Sequence, residues 1–332
     1  MQNDANDHDL KPGVAAYDGA RSSKIRERDL PFDMETLVYS SKGNIRAGYY
    51  RAPASIACVM RGRFLENVEV IYHYTDFSAF KSIVENGELW ATLYKNMNDV
   101  SEIEHSWDVL YCQAMDMVAD PLLNHEKYLA LRENFTSDID LYIVSFSLIR
   151  NSLSQWRAYG RDNGVNIAFA KALFPVLGNS FDPYILKPVI YSMSEKMQRM
   201  QSLAVTLAGI LEEARGDMDI ILKQAKSIRT QFIQIAPFLK HEKFVDEREV
   251  RLVSNGKSFE KFSREGRYGK TQYIKISFDD AFKYADGLDF PILYLLTWPS
   301  IDPDEKVKKA AEVMKENKRK FFAIEDCNIP FR

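Results

Sequence analysis

The sequence has few cysteines, few histidines and no long apolar run. Its three cysteines fit no zinc or redox spacing, and such sparse use is typical of a reducing compartment. The five histidines include no H-x-x-x-H pair, so a metal site has no support. No apolar run approaches the roughly 18 residues that a membrane span needs, and the polar, acidic start is unlike a signal peptide. We therefore expect a cytoplasmic protein with no membrane partner and no metal.

The excess of one sign of charge is also small, since the formal net charge is −3. A phosphate-binding surface usually shows as a basic excess, which argues against a nucleic-acid partner. The basic run at 306–320 is interleaved with acidic residues and favours a solvated helix face. The sequence also contains no Gly-rich phosphate loop, P-loop or G-x-S-x-G elbow.

The chain is rich in the residues that build a core, with 46% hydrophobic and 12% aromatic side chains among 332 residues. Residues 1–30 are charged and aperiodic and predict a flexible arm. Residues 31–66 predict an appendage without a clear fold. Residues 67–332 predict a single domain, with helical insertions at 101–134 and 194–229.

Short segments rich in β-branched and aromatic residues are interspersed with helical ones. The predicted strands cover 68–74, 88–92, 141–148, 164–169, 247–253, 272–278, 291–298 and 321–326. Strands and helices do not alternate strictly. This pattern predicts an α+β fold with a mixed, largely antiparallel central sheet and flanking helices.

Polar side chains stand out in three of these strands. His73 and Tyr74 end the first strand, where a histidine can offer both ring nitrogens or can be a satisfied structural residue. Ser145 and Ser147 share one strand face and can hold a ligand or a neighbouring strand.

Trp156 and Tyr159 follow, three residues apart on a predicted helix. We expect them on one helix face, where they either stack on a flat ring or pack in the core.

The third polar segment places Glu247, Glu249 and Arg251 on one face of the strand 247–253. Strand geometry sets the two carboxylates roughly 6–7 Å apart. Each raises the pKa of the other unless a cation such as Arg251 intervenes. The segment predicts either a catalytic carboxylate pair or an edge strand with a solvated face.

Five separated stretches match one family's pattern in that family's order. They are YHYTDFSAFKSIVENGELWAT, NMND, SFSLIRNSLSQWRAYG with GVNIAF, FVDEREVRLV, and AIEDCNIPFR. On these motifs the chain resembles the domain-of-unknown-function 2971 family over roughly residues 70–332. One departure is Trp298-Pro299, in place of a Gly-Pro-like turn. The resemblance implies a bacterial protein, and some members look like parts of phage-resistance or toxin–antitoxin systems.

A second resemblance, to ADP-ribosyltransferases, rests on three short motifs in order. These enzymes carry a His or Arg on one strand, Ser-x-Ser or Tyr on a second, and a Glu, often as Glu-x-Glu, on a third. His73, Ser145-Phe146-Ser147 and Glu247-Arg248-Glu249 are similar to that series. The chain mixes two patterns, because members with a histidine usually pair it with a Tyr.

This resemblance implies an ADP-ribosyltransferase or NAD glycohydrolase that breaks the nicotinamide–ribose bond of NAD through an oxocarbenium-like state. Glu249 would stabilise the charge on the ribose. Glu247 would deprotonate or position the acceptor, and His73 would orient a ribose or the nicotinamide amide. The other expected contacts to the dinucleotide are Tyr74, Ser145, Ser147, Trp156 and Tyr159.

Other functions stay open at this point. One alternative is a non-catalytic module that binds a nucleotide or a protein, and another is an enzyme acting on nucleic acid. A catalyst should gather His73, Ser147 and Glu249 around one cleft, with His73 and Glu249 within about 15 Å, the scale of a small domain's radius. The sequence names no acceptor macromolecule, and assembly into a homo-oligomer also stays open.

Overall fold

The computed structural model describes residues 69–97, 101–119, 125–160, 163–174, 181–266, 269–278, 292–298, 303–319 and 323–327. All of them belong to the second of two units in the chain, Glu35–Arg332. The predicted arm and appendage lie outside the described residues. In the described part, no helix has both the length and the apolar character needed to cross a membrane.

One sheet holds the ten strands of the described residues. They are β1 (Val70–Thr75), β2 (Glu88–Leu93), β3 (Tyr142–Ser147), β4 (Val165–Ala170), β5 (Ile185–Pro188), β6 (Glu249–Ser254), β7 (Lys261–Gly266), β8 (Gly269–Ser277), β9 (Ile292–Thr297) and β10 (Ala323–Asp326). The main path runs β10-β9-β4-β1-β3-β2-β8-β7, while β6 pairs with β3 and β5 pairs with β6. The pairing of β9 with β10 is parallel and the other described pairings are antiparallel. The predicted α+β class and the mixed, largely antiparallel sheet are confirmed.

Helices cover both faces of this sheet. The longer ones are α1 (Phe77–Asn86), α2 (Ser101–Met115), α3 (His125–Thr136), α4 (Met193–Ala214), α5 (Met218–Ile235) and α6 (Pro303–Glu316). In α1, Asp76 caps the N-terminus by accepting a 2.8 Å hydrogen bond from the Ala79 amide. Gly87 ends the helix in the left-handed conformation, at φ 66°. The sequence predicts that Thr75 or Asp76 caps this helix and that Gly87 ends it, and the structure has Asp76 as the cap.

Successive side chains of β3 and β6 point to opposite faces of the sheet and pack in two different cores. Phe146 and Leu252 point into a core shared with α1 and α6. Ile143 and Val253 point the opposite way, into a core with α2 to α5. Ser145, Ser147, Glu249 and Arg251 therefore lie on the second face, because residues two apart on a strand share a side.

The edge of β3 is shared by two strands, and this division creates the space for a site. Near its start, Ile143 pairs with Thr92 of β2. At its end, Ser147 pairs with Tyr72 of β1. The strands β1 and β2 diverge beside Ser145, which lies between the two registers.

Four segments differ from the sequence-based prediction. The helical stretch 194–229 is two helices, because Arg215 and Gly216 have positive φ and Asp217 caps α5. Strands β5 and β7 were not predicted, since ILKP and KFSREG carry no apolar alternation. The strand expected from Glu247 begins at Glu249.

We expect Gly87→Ala to lower the free energy of unfolding by about 1–2 kcal/mol, because a side chain at this positive φ is strained. The added Cβ would also meet the Arg319 guanidinium. Gly209→Ala is the matched control, since this helical glycine of α4 has open space around it. That variant should stabilise the protein by about 0.5–1 kcal/mol in urea melts. Equal effects of the two substitutions would contradict the left-handed conformation assigned to Gly87.

Candidate functional site

A cleft of about 720 Å³ opens beside Ser145, where β1 and β2 diverge. Its volume lies within the range of small-molecule sites. The predicted site residues that line it are His73, Tyr74, Ser145, Ser147, Tyr159, Glu247 and Glu249. Three sequence motifs more than 70 residues apart thus meet at one cleft.

His73 takes the place of a missing strand partner. Its Nδ1 lies 3.0 Å from the backbone oxygen of Ser145. A carbonyl can only accept, so Nδ1 carries the hydrogen and Nε2 of the neutral ring is an acceptor. Burial lowers the pKa of His73, and the Ser145 carbonyl opposes this only in part. The imidazole is therefore neutral at pH 7.

The two serines of β3 have different surroundings. The Ser147 hydroxyl donates to the Glu247 carbonyl at 2.7 Å and accepts from the Ile149 amide at 3.0 Å. The Ser145 hydroxyl lies near enough to the Glu249 carboxylate to help lower its pKa. Within the described residues, however, its oxygen makes no hydrogen bond of normal geometry. Ser147 therefore holds the backbone, and Ser145 is the serine with capacity for a ligand.

Tyr74 presents its ring to the cleft but uses its hydroxyl elsewhere. That hydroxyl donates to the Ile149 carbonyl at 2.7 Å and accepts from the Ser152 amide at 2.9 Å. Burial raises the pKa of Tyr74. Its hydroxyl thus fixes the segment that follows β3.

Trp156 and Tyr159 do not share a helix face, because residues 156–160 form a π-helical turn. Trp156 is fully buried, packs edge-on against Tyr74 and Trp298, and does not line the cleft. The sequence left two roles open for Trp156, stacking on a ligand ring or packing in the core, and its position is the one expected for core packing. Tyr159 is 38% exposed and lines the cleft. Partial burial and the nearby carboxylates of Glu247 and Glu249 raise its pKa.

Five charged side chains form a cluster along one wall of the cleft. They are Glu102, Lys240, Glu247, Glu249 and Arg251, hereafter the ion cluster. Arg251 donates to both carboxylate oxygens of Glu249, at 2.8 and 2.9 Å. It also contacts Glu102 at 2.6 Å. The Lys240 ammonium lies 2.7 Å from Glu247, 3.1 Å from Glu249 and 3.2 Å from Glu102.

The ion cluster holds three carboxylates and two cations, so its formal charge is −1 with all groups ionised. Burial raises the pKa of Glu249, but Arg251 and Lys240 outweigh it and bring that pKa to about 2. Burial lowers the pKa of Arg251, but the combined effect of Glu249 and Glu102 is larger and raises it. Glu249 is therefore ionised at any physiological pH.

The structure corrects the predicted arrangement of the two glutamates. Glu247 ends a 3₁₀ turn, Glu242–Glu247, and Arg248 adopts a left-handed conformation at φ 41° before β6 begins. The strand is also internal, since β6 pairs with β3 and β5, so the solvated edge strand is wrong. The side chain of Glu247 is 21% exposed and that of Glu249 is 6% exposed. Glu247 is therefore the more accessible carboxylate.

Sequence reasoning missed Glu102 and Lys240, which complete the ion cluster. Glu102 lies in the first turn of α2, where an acidic residue is common for helix-dipole reasons alone. Lys240 follows a 3₁₀ turn after α5 and carries no pattern. Within the described ranges, no group of three or more His, Cys, Asp or Glu side chains is arranged to hold a metal ion.

Comparison with known proteins agrees with the family resemblance. Residues 155–252 match a family model described as "Protein of unknown function (DUF2971)". The match begins at Gln155, eight residues after β3 ends, reaches Leu252 within β6, and covers less than half of the chain. No curated protein and no solved structure matches the chain. The resemblance to this family is thereby confirmed.

We expect Glu249→Gln to lower the free energy of unfolding by about 3–5 kcal/mol, because it leaves the buried Arg251 and Lys240 without their shared partner. Glu85→Gln is the matched control, since it breaks an exposed pair with Lys81 on α1. That change should cost less than about 0.5 kcal/mol. Urea melts at neutral pH would measure both, and a small loss for Glu249→Gln would show that the ion cluster is not needed for folding.

The ion cluster also predicts a dependence of stability on acid. The pKa of Glu249 is about 2 in the folded chain and 4.5 as its ordinary value. Below pH 4.5 the unfolded chain takes up a proton that the folded chain resists. The contribution of Glu249, about 3 kcal/mol, is therefore complete above pH 4.5 and is lost as the pH falls towards 2. Denaturant melts across this window should show a shallower decline for Glu249→Gln, and parallel declines would contradict the pairing.

Proposed function

We propose that the cleft binds NAD and breaks its nicotinamide–ribose bond, as an ADP-ribosyltransferase or an NAD glycohydrolase. The observation that carries this proposal is the meeting of three separated motifs on adjacent strands. His73 of β1, Ser145 of β3 and Glu249 of β6 line one cleft. Two strand spacings, or about 10 Å, separate β1 from β6, and this closeness of the strands supports the proposal.

The charge of the ion cluster supports this chemistry. Breaking the nicotinamide–ribose bond leaves positive charge on the ribose ring. A fixed negative field in a partly enclosed site stabilises such a state more than water does. The formal charge of −1 supplies that field, and the neutral His73 does not oppose it.

The two glutamates take different parts in the proposed reaction. Both oxygens of Glu249 are engaged by Arg251, and one is shared with Lys240. Glu249 therefore acts through the field and through the positions of its two cations. Glu247 is held through its Oε2 by Lys240 and is the carboxylate that reaches the ligand.

The proposed reaction breaks one bond at ribose C1′ and forms another there. The bond between ribose C1′ and the nicotinamide nitrogen breaks, and its electron pair leaves with neutral nicotinamide. An oxygen or nitrogen of water or of an acceptor then bonds to C1′, and its proton passes to Glu247. In this proposal the Nε2 of His73 accepts from a ribose hydroxyl or the nicotinamide amide, and the ring of Tyr159, which lines the cleft, stacks on nicotinamide.

A non-catalytic dinucleotide-binding module is the second candidate. The engagement of Glu249 by two cations favours this candidate, because a catalyst was predicted to use two carboxylates. Of these two, Glu247 is the accessible one. Such a module would bind NAD without releasing nicotinamide.

Nicotinamide release from NAD, with and without cell extract, is the direct measurement. We expect the wild type to release nicotinamide and Glu247→Gln to be at least about a hundredfold slower, because a positioned base contributes that much or more. Glu242→Gln is the matched control, since it neutralises an exposed glutamate of the same turn that does not line the cleft. It should keep the wild-type rate.

The other outcomes separate the candidates. NAD binding without release by any variant would leave the binding module. If no nicotinamide is released and NAD causes no shift in melting temperature, both candidate functions of the cleft are overturned. Release that is equally fast in Glu247→Gln would remove Glu247 from the reaction and leave the cleft in it.

A further inference from the structure

A second group of ligand-binding side chains lies on the outer strands β2, β8 and β7. Trp90 and Tyr273 stack with ring centroids 4.4 Å apart and nearly parallel planes. Phe262 extends the stack on the other side of Tyr273, at 5.7 Å. The strand register explains this row, because Phe262 is directly opposite Tyr273 and Trp90 is opposite the neighbouring Lys275.

Two cations lie over these rings. The Arg264 guanidinium is 5.2 Å from the centre of Trp90 and 5.7 Å from that of Tyr273. The Lys275 ammonium is 4.9 Å from the centre of Phe262 and 2.9 Å from Glu88. We call the group of Trp90, Phe262, Tyr273, Arg264 and Lys275 the aromatic platform.

Arg264 differs from Lys275 in its partners. The carboxylate of Glu88 accepts from both Lys275 and the Trp90 indole, at 2.9 and 2.8 Å. Arg264 is exposed and, within the residues that the structure describes, pairs with no carboxylate. Arg264 is the charged side chain of the aromatic platform that lines the cleft.

The aromatic platform faces the same cleft as the ion cluster. Trp90, Arg264 and Thr271 line that cleft together with Glu247 and Glu249. Trp90 is also the one tryptophan of the four that is not buried. A ligand long enough to span this cleft can therefore contact both the Arg264–Trp90 surface and the carboxylates.

We propose that the aromatic platform is the subsite for the adenine ring of the dinucleotide, an assignment that rests on the proposed function. The two ends of the cleft carry opposite charge. The nicotinamide ring of NAD is cationic, so Arg264 would repel it and the ion cluster would attract it. Adenine is flat and neutral, and guanidinium and indole faces bind such rings by stacking. The negative diphosphate of the same ligand is attracted by the Arg264 guanidinium, which lines the cleft at this end.

Trp90 fluorescence measures this subsite directly. We expect AMP and NAD to quench the wild-type emission, and nicotinamide mononucleotide to leave it unchanged. Arg264→Ala should weaken AMP and NAD binding about tenfold, the scale of one lost stacking contact. Lys261→Ala is the matched control, because Lys261 lies on the same strand and pairs with Asp140 outside the cleft. The quenching by AMP should be absent in Trp90→Phe, which assigns the signal to Trp90.

The results distinguish this assignment from the proposed reaction. AMP binding that depends on Arg264, without nicotinamide release, would support the aromatic platform and overturn the reaction. Nicotinamide release with AMP binding unchanged by Arg264→Ala would overturn the aromatic platform and leave the reaction. Absence of AMP and NAD binding to the wild type would overturn the adenine assignment. Stronger quenching by nicotinamide mononucleotide than by AMP would reverse the proposed orientation and overturn it as well.

Discussion

Arg251 is a fully buried guanidinium, and such a charge is tolerated in a protein interior only when carboxylates surround it. Its partners come from three parts of the chain: Glu249 of β6, Glu102 of α2, and the backbone oxygen of Pro237 after α5. Neutralising this one charge therefore fixes the helical layer against the sheet. The same contacts build one wall of the cleft, so the folding requirement and the position of the candidate site are inseparable.

The shared edge of β3 supplies the opening that the ion cluster faces. A continuous partner strand would cover the Ser145 carbonyl and leave no space for a ligand. Because β1 and β2 each pair with only one end of β3, the His73 ring reaches that carbonyl instead. One histidine that lines the cleft thereby satisfies a backbone group.

The opposite charges at the two ends of the cleft favour one orientation of a bound ligand. The ion cluster has an excess of negative charge, and the aromatic platform has an excess of positive charge over stacked rings. A ligand with one cationic ring, a negative centre and one neutral ring matches this order. NAD has that order, which links the proposed reaction to the proposed adenine subsite through charge alone.

The sequence by itself determined the features that depend on near neighbours. Period-two alternation placed Ser145 with Ser147 and Glu249 with Arg251, and the residue types at both ends of α1 marked its caps. It also indicated the α+β class and most of the strands. Glu247 was misplaced because a left-handed Arg248, which no local pattern indicates, turns the chain just before β6.

The tertiary structure decided which of these elements meet. Lys240 and Glu102 join Glu249 through contacts between helices and sheet, and Arg264 reaches Trp90 across more than 170 residues of sequence. Trp156 and Tyr159 separate because packing selects a π-helical turn, which sends one ring to the core and the other to the cleft. These arrangements depend on long-range packing energies, and local patterns in a sequence do not encode them.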